Sequence, residues 1–202
     1  GIQVAEFRHE RSIAQMAESA AALLPESGKA AVVGFSMGGM VALALADRYP
    51  QRVSHMALLN SNVHADRPER AEGRRKAVAE AGHAGLRRVV ETRFLKNYLH
   101  HGDATHCQLI LDMADEHGLD AFAAQAQALA ERSDSSAALA AYRGKLLVLG
   151  AQQDVLCPPP VQDEMYRLAH NGRLVMLQEC GHFALLEKAA EVNRALLDWL
   201  GD

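Results

Sequence analysis

The chain has 202 residues, 49% hydrophobic and 23% charged, which is ordinary for a soluble globular protein and enough for one domain with a substantial core. No apolar run approaches the ~18–20 residues that span a bilayer, and the net charge of −4 gives no reason to expect a nucleic-acid partner. The three cysteines, Cys107, Cys157 and Cys180, are widely spaced and odd in number. They lack the spacing of a metal site or a disulfide framework, so we expect a reducing, cytoplasmic location.

Strand and helix patterns alternate in the first part of the chain. Residues 2–7 alternate in polarity and are interpreted as a strand, and Ser12 begins a predicted helix over residues 12–24. Residues 29–34 form a second apolar strand pattern, which is followed by a helix that ends near Arg48. Residues 53–59 are predicted to form another apolar strand.

The stretch 64–142 has a different composition, rich in Ala, Arg and Glu and nearly free of β-branched residues. Its periodicity predicts several helices, with breaks near residues 82–85, 102–103 and 133–136. An insertion of roughly eighty residues is too long and too regularly helical for an ordinary loop. We therefore predict a helical cap over residues 63–142.

Basic residues are concentrated in the first part of this predicted cap. Residues 63–100 contain nine Lys or Arg and five acids, so this segment carries +4 while the remainder carries −8. Solvated helix faces are the simpler interpretation of this pattern. Steering of an anionic substrate is the alternative.

Strand patterns return at residues 145–150 and 173–177, and residues 161–169 between them are predicted to be helical. Strands that alternate with helices indicate an α/β fold with a mostly parallel sheet covered on both faces. The predicted core of this fold comprises residues 1–62 and 143–202.

A last helix is predicted over residues 187–200. Its apolar stripe includes three leucines: Leu196, Leu197 and Leu200. We expect this stripe to pack on the sheet.

The most informative motif is Gly34-Phe35-Ser36-Met37-Gly38-Gly39, between a strand pattern and a helix pattern. In that setting G-x-S-x-G is typical of a nucleophile elbow, although an ordinary Gly/Ser turn also fits the pentapeptide. We expect Gly34 and Gly38 to prevent collisions with the adjoining strand and helix. The N–H of Met37, at the helix N-terminus, would then contribute to an oxyanion hole.

Two further candidate residues follow later strand patterns. Asp154 comes just after residues 145–150, at the end of a strand where parallel sheets place their chemistry, and it suits the orientation of a histidine. A turn-forming aspartate before prolines is the alternative. His182 alone among the ten histidines lies just past the last predicted strand, and Gly181 is expected to let its loop move. Cys180 has no elbow of its own and is interpreted as a small buried residue.

Ser36, Asp154 and His182 occur in the chain order Ser…Asp…His that is described for α/β-hydrolases. His182 would take the proton of Ser36 during attack on a carbonyl carbon, and Asp154 would hold the imidazole tautomer. This chemistry needs no cofactor and no metal. The histidine-rich run at residues 100–107 lies in a predicted cap loop with helix-breaking residues, and we expect no metal there.

At this point the chain is seen to resemble the α/β-hydrolase superfamily over nearly its whole length. Four segments carry the resemblance: Tyr49-Pro50-x-Arg52-Val53, Asn60-Ser61, the G-x-x-x-D step to Asp154 with its following prolines, and Cys180-Gly181-His182-Phe183. The subgroup that the chain is similar to has a helical cap and holds cofactor-free esterases, enol-lactonases, carbon–carbon bond hydrolases and a menaquinone-pathway synthase. The resemblance implies the fold and the triad, but it does not specify the substrate.

One departure from the family pattern concerns the oxyanion hole. Family members usually have about three strands and a helix before the segment that matches residues 2–7, including a Gly-rich loop that supplies a second donor. Here only about 35 residues precede Ser36, without such a loop. Either the chain is a fragment, which we favour because a sheet beginning at Ile2 would leave an exposed edge, or the hydrolase has lost half of its site. Losing one donor would lower the rate by ~10²–10³-fold.

We therefore predict a serine hydrolase that cleaves a small carboxylic ester, lactone or thioester, with the cap forming the substrate pocket. The alternative within the fold, which the basic cap suggests, is a carbon–carbon bond hydrolase or a synthase-like lyase acting on an anionic cyclic acid. A third hypothesis is a non-catalytic binding protein with the same fold. The expected partner is a small-molecule substrate, without nucleic acid or membrane, and the oligomeric state is left open.

Overall fold

The computed structural model describes residues 1–201, and within them four strands form one parallel sheet in the order β1-β2-β3-β4. The strands are β1 (Ala30–Phe35), β2 (Val53–Leu59), β3 (Lys145–Ala151) and β4 (Gly172–Leu177). The four strands predicted over 29–34, 53–59, 145–150 and 173–177 are confirmed, with shifts of at most one residue. The central strand β3 is buried along nearly its whole length, as a strand covered on both faces must be.

The sheet register brings the carboxyl ends of β1, β2 and β3 to the same edge. Phe35 pairs with Leu59, and Leu59 pairs with Leu149. The ladder continues past the strands, because Ser36 donates its N–H to the Leu59 carbonyl at 2.8 Å and Asn60 donates to the Leu149 carbonyl at 2.7 Å. Residues that follow these strands therefore lie side by side at one edge of the sheet.

Helices flank both faces of the sheet. They are α2 (Met37–Arg48), α7 (Ser136–Ala141), α8 (Pro159–Leu168), α9 (Ala184–Glu187) and α10 (Ala189–Gly201). Leu149 packs in one cluster with Trp199 of α10. Its neighbour Gly150 must point to the other face, since successive strand residues alternate, and there a Cβ would meet Gln162 of α8. The mostly parallel α/β architecture is thus confirmed.

The chain divides into two compact units. The sheet unit comprises Leu24–His64, Asn97–His101 and the described residues from Asp134 onward. The helical unit comprises Gly1–Leu23, Ala65–Lys96 and Gly102–Ser133. The predicted boundaries of a cap at residues 63 and 142 stay a prediction.

The helical unit consists mostly of helices. They are α1 (Ile13–Ala21), α3 (Pro68–Ala84), α4 (Leu86–Val89), a π-helical turn (Val90–Phe94) and α6 (Ala104–Ala130). The chain passes from one unit to the other within α5 (Leu95–Tyr98). Ser12 caps α1 as predicted, with its Oγ accepting the N–H of Gln15 at 3.1 Å. A kink at Gly118 within α6, where φ is +77°, was not among the predicted helix breaks. Glycine adopts this φ easily.

Ion pairs occupy most of the basic residues in segment 63–100. Six of the nine pair with acids: Arg70 and Arg74 with Asp66, Arg75 and Lys76 with Glu72, Arg87 with Asp112 and Asp115, and Arg93 with Glu80. The side chain of Asp66 is fully buried, and it also pairs with Arg132 at 2.7 Å. Burial by itself would raise the pKa of Asp66, but the two guanidinium groups of Arg74 and Arg132 outweigh burial and lower it. Because most of these paired side chains are at least one-third exposed, the pairs favour solvated helix faces over steering of an anionic substrate.

The strand predicted over residues 2–7 is wrong. Residues 1–10 contain no strand, and the side chains of Ile2 and Val4 are 96% and 79% exposed. A strand persists only when a neighbour completes its hydrogen bonds, and no ladder forms here within the described residues. The Phe7 carbonyl instead accepts a hydrogen bond from Gln125 of α6 at 2.8 Å.

The prediction for the last helix is correct in part. The helix is divided at Lys188 into α9 and α10, and of the three leucines only Leu196 packs against the sheet cluster. Leu197 and Leu200 are 70% and 50% exposed. The buried stripe of α10 instead follows Val192, Ala195, Leu196 and Trp199, at the spacing of one helical face.

None of the helices found in residues 1–201 is both long enough and apolar enough to cross a membrane.

A histidine lies between two carboxylates next to the end of β2. His64 Nδ1 is 3.0 Å from Asp134 Oδ2, and its Nε2 is 2.9 Å from Glu164 Oε2 of α8. Only the protonated imidazolium donates from both nitrogens. The hydrogen bond to Asp134, helped by Glu164 and opposed by partial burial, raises the pKa of His64.

We expect this contact to make stability depend on pH in one direction. A raised folded pKa means that the stabilisation from His64 is complete below its ordinary pKa of about 6.5 and is lost as the pH rises through the folded value. Urea unfolding of the wild type and His64→Gln should give midpoints that differ at acidic pH and converge at alkaline pH. A constant difference between the two proteins across this range would contradict the prediction.

Candidate active site

Ser36 occupies a sharp turn between β1 and α2. Its φ of +51° and ψ of −114° lie outside the ordinary regions for a side-chain-bearing residue, a strain that concentrates at functional sites. The turn is held on both sides, because the Ser36 N–H binds the Leu59 carbonyl and the Ser36 carbonyl accepts from Ser61 Oγ at 2.8 Å. The neighbouring segments therefore stabilise the strained conformation.

Steric contacts explain two of the three glycines around this serine. A Cβ on Gly34 would collide with the backbone of Gly38, and a Cβ on Gly39 would lie 2.5 Å from Ser61 Oγ. A Cβ on Gly38 would meet nothing within 4 Å. The expectation that Gly38 prevents a collision is therefore wrong. Gly39 has that role, because it is the residue of α2 that approaches the loop after β2.

The structure brings the three predicted triad residues together within the sheet unit. Ser36 Oγ lies 2.9 Å from His182 Nε2, and His182 Nδ1 lies 2.9 Å from Asp154 Oδ2. Asp154 and His182 are 2% and 3% exposed. Both distances lie within the range for a hydrogen-bonded nucleophile, base and orienting acid.

The Asp154 carboxylate accepts four hydrogen bonds. Oδ1 accepts the N–H groups of Leu156 and Cys157 at 2.8 and 2.9 Å, while Oδ2 accepts from Asn60 Nδ2 at 3.0 Å and from His182. Burial by itself would raise the pKa of Asp154, but the hydrogen bond from His182, together with those from Cys157 and Asn60, outweighs burial and lowers it. The carboxylate thus stays ionised, and His182 must donate from Nδ1 and accept at Nε2.

Asn60 is a partner that motif reasoning did not assign to the site. It is fully buried and adopts a φ of +47°, which asparagine tolerates better than most residues. The one available signal was its position directly after a strand, in the Asn60-Ser61 pair that supports the family resemblance. The turn-forming alternative for Asp154 also holds, because the same carboxylate caps the loop through Leu156 and Cys157.

The loop that carries His182 is packed tightly. A Cβ on Gly181 would lie 2.6 Å from the backbone nitrogen of His100, so Gly181 provides space where the sequence suggested freedom of movement. Cys180 is fully buried, and burial together with Glu187 raises its thiol pKa to about 12, which makes it a poor nucleophile. Aromatic rings surround the His182 ring: Phe35 at 5.2 Å, Phe183 at 5.9 Å and Tyr98 at 6.3 Å.

The remaining candidates can be placed as well. Met37 is the first residue of α2, so its N–H has no acceptor within the helix and remains suited to an oxyanion. Asp154, Cys157 and His182 offer three possible metal-ligand atoms within 4.8 Å of one another. In this structure, however, hydrogen bonds already join Asp154 to His182 and His182 to Ser36. Within the histidine-rich run, Asp103 caps α6 through the N–H groups of residues 105 and 106.

Residues 5–195 match the sequence model of the alpha/beta hydrolase family. The chain belongs to this family. The family match agrees with the predicted superfamily, and it fits a serine on a turn between a parallel strand and a helix with a histidine and an aspartate beside it.

Similarity to individual alpha/beta hydrolases extends over most of the chain. The Variovorax paradoxus protein RutD, a candidate carbamate hydrolase, is 30% identical over 200 residues, which cover 94% of this chain and 73% of that protein. A pimeloyl-[acyl-carrier protein] methyl ester esterase of Neisseria meningitidis is 27% identical over 192 residues, covering 92% of this chain and 73% of its own length. The structure of a thermophilic esterase from Thermogutta terrifontis superposes with a TM-score of 0.86 at 27% identity, covering 98% and 74% of the two chains. Together with the family match, these relatives support a hydrolase activity.

The glycines of this alpha/beta hydrolase offer a matched pair of variants. Gly39→Ala places a Cβ against Ser61, and we expect overpacking to lower the free energy of unfolding by about 1–3 kcal/mol. Gly38→Ala meets open space and should raise it by about 0.5–1 kcal/mol through helix propensity. Chemical denaturation of both variants measures the two values. Equal effects of the two substitutions would refute the assignment of the close contact to Gly39.

Proposed function

We propose that this chain is a serine hydrolase that cleaves a small carboxylic ester, lactone or thioester through an acyl-enzyme on Ser36. The observation that carries the proposal is the unbroken hydrogen-bond chain from Asp154 through His182 to Ser36 Oγ, with both links at 2.9 Å. The strained backbone at Ser36 and the low pKa of Asp154 support it. The family match supports hydrolysis as the reaction class.

In the proposed mechanism His182 Nε2 takes the proton of Ser36 as Oγ attacks the carbonyl carbon. The carbonyl oxygen becomes an oxyanion, and the N–H of Met37 at the start of α2 donates to it. The tetrahedral intermediate collapses when His182 returns the proton to the leaving alcohol, thiol or ring oxygen. Water then attacks the acyl-enzyme, with His182 again acting as the base, and releases the carboxylic acid and free Ser36.

The surroundings of His182 favour the positive charge that forms on it during each step. Asp154 stays ionised and lies 2.9 Å from Nδ1, so the imidazolium forms next to a carboxylate. Tyr98 stacks beside the ring at a centroid distance of 6.3 Å and an interplanar angle of 30°, and this contact helps to fix the plane of the imidazole. The carboxylate therefore lowers the cost of proton transfer from the serine.

Acyl transfer to Ser36 suits any substrate with an electrophilic carbonyl and a leaving group. The names of the relatives refer to a carbamate and to esters, which share that carbonyl chemistry. A carbon–carbon bond hydrolase or a lyase for an anionic cyclic acid is the second candidate, and the basic segment 63–100 is the observation that favours it. This second candidate is weakened because most of those basic residues already pair with acidic residues of this chain. The preformed triad geometry disfavours a purely binding function.

Probe labelling and ester turnover test the proposal directly. We expect a fluorophosphonate to label the wild-type protein and p-nitrophenyl acetate to be hydrolysed with an initial burst, because both reagents report a nucleophilic serine. Ser36→Ala should abolish labelling and the burst, while Ser133→Ala, at an exposed serine, should retain both. A folded wild-type protein that resists the probe would overturn the proposal. Turnover confined to anionic diketone or cyclohexadiene acids would favour the second candidate.

Replacing the orienting acid provides an independent prediction. Asp154→Asn removes the carboxylate that holds the Nδ1–H tautomer of His182, and kcat should fall by ~10⁴-fold with a much smaller change in KM. The exposed Asp47→Asn makes the same chemical change on α2 and should leave kcat unaltered. Steady-state kinetics on the best ester substrate measures both values. A loss below about tenfold in Asp154→Asn would exclude Asp154 as the orienting acid.

A further inference from the structure

Glu187, the last residue of α9, binds two separate chain segments with one carboxylate. Its Oε2 accepts the N–H of Gly181 at 2.7 Å. Its Oε1 accepts the N–H groups of His100 and His101, both at 2.8 Å. One side chain therefore holds the histidine loop, residues 180–183, and the short segment of residues 98–101 in a common position.

Further contacts join the same two segments. The Phe183 N–H donates to the Tyr98 carbonyl at 2.9 Å, and the rings of these residues lie 5.0 Å apart. Gly181 approaches His100 so closely that a Cβ would lie 2.6 Å from its nitrogen. The segment thus supports the backbone on one side of His182, and its Tyr98 ring stacks on the imidazole.

The carboxylate has a clear physical reason to be there. His100 and His101 lie between α5 and α6, where their N–H groups have no helical acceptor. An ionised carboxylate accepts several N–H groups with charge-assisted bonds that are about twice as strong as neutral ones. Without it, three N–H donors would face one another, and the tight approach at Gly181 would lose the group that holds it together.

We propose that Glu187 is a positioning residue for His182, an assignment that rests on the proposed serine hydrolase function. Glu187 binds Gly181, and the His182 ring follows directly from that residue. A displacement of Gly181 moves Nε2 away from Ser36 Oγ, which now lies at 2.9 Å. Glu187 touches neither the nucleophile nor the reacting atoms and acts only through the loop.

Kinetics of two variants test this role. In Glu187→Ala we expect kcat for p-nitrophenyl acetate to fall about 10- to 100-fold, the effect of misplacing a catalytic group by about an ångström. KM should change by less than about threefold, because the loop affects the transition state more than substrate binding. Glu187→Gln keeps one acceptor oxygen and should recover part of the activity. Glu191→Ala, at an exposed glutamate in the first turn of α10, is the matched control and should behave as the wild type.

Two readouts separate positioning from a general loss of structure. The hydrogen-bonded Nδ1 proton of His182 gives a downfield proton resonance, which should broaden or disappear in Glu187→Ala and persist in Glu191→Ala. Amide hydrogen exchange at His100 and His101 should accelerate in Glu187→Ala. Gly181→Ala, which forces the segments apart without removing the carboxylate, should reproduce the loss of kcat, whereas Gly102→Ala adds a Cβ in open space and should not.

The outcomes distinguish this proposal from the proposed function. Suppose that the wild type hydrolyses the ester and that Glu187→Ala keeps the same kcat and the same resonance. This result would overturn the positioning role and leave the hydrolase proposal intact. If the wild type hydrolyses no ester and resists the probe, the proposed function fails, and the resonance and the exchange rates then decide whether Glu187 positions His182. If Glu187→Ala fails to fold, the kcat values and the His182 resonance of Glu187→Gln and Gly181→Ala decide whether Glu187 positions His182.

Discussion

The buried carboxylate of Asp154 is the group on which the rest of the site depends. A charge that is 2% exposed is tolerated only when hydrogen bonds replace its lost water. Asp154 meets this requirement with two backbone N–H groups of its own loop, the amide of Asn60 after β2, and the imidazole of His182 after β4. The need to satisfy one charge therefore ties together the ends of three strands. The same contacts set the tautomer and the direction of the imidazole.

Close packing accounts for the rest of the geometry. Gly34 and Gly39 let α2 approach β1 and the loop at Ser61, so that the strained serine is held from both sides. Gly181 lets residues 98–101 lie against the histidine loop in the same way. Three glycine contacts and the carboxylate of Glu187 thus restrict the serine and the histidine to positions from which they share a hydrogen bond.

Prediction from sequence succeeded where a local pattern has a local cause. The apolar runs became the predicted strands, because a strand buried on both faces requires continuous hydrophobicity. It failed where the cause is a distant partner. Residues 2–7 have the alternation of a strand but no ladder, and Leu197 has the apolarity of a core residue but lies off the buried stripe of α10. Gly38 fits the motif, yet Gly39 makes the contact.

By itself the sequence determined the fold class and the identities of Ser36, Asp154 and His182 as candidates, because each follows a strand pattern and parallel strands end at one edge of the sheet. Only the tertiary structure decided that their atoms lie within hydrogen-bond distance, and that Asn60 and Glu187 support them. Glu187 binds N–H groups 86 and 87 residues away along the chain. Every residue except proline has a backbone N–H, so residue types do not indicate which donor a distant carboxylate binds. Contacts of this kind are therefore seen only in the folded chain.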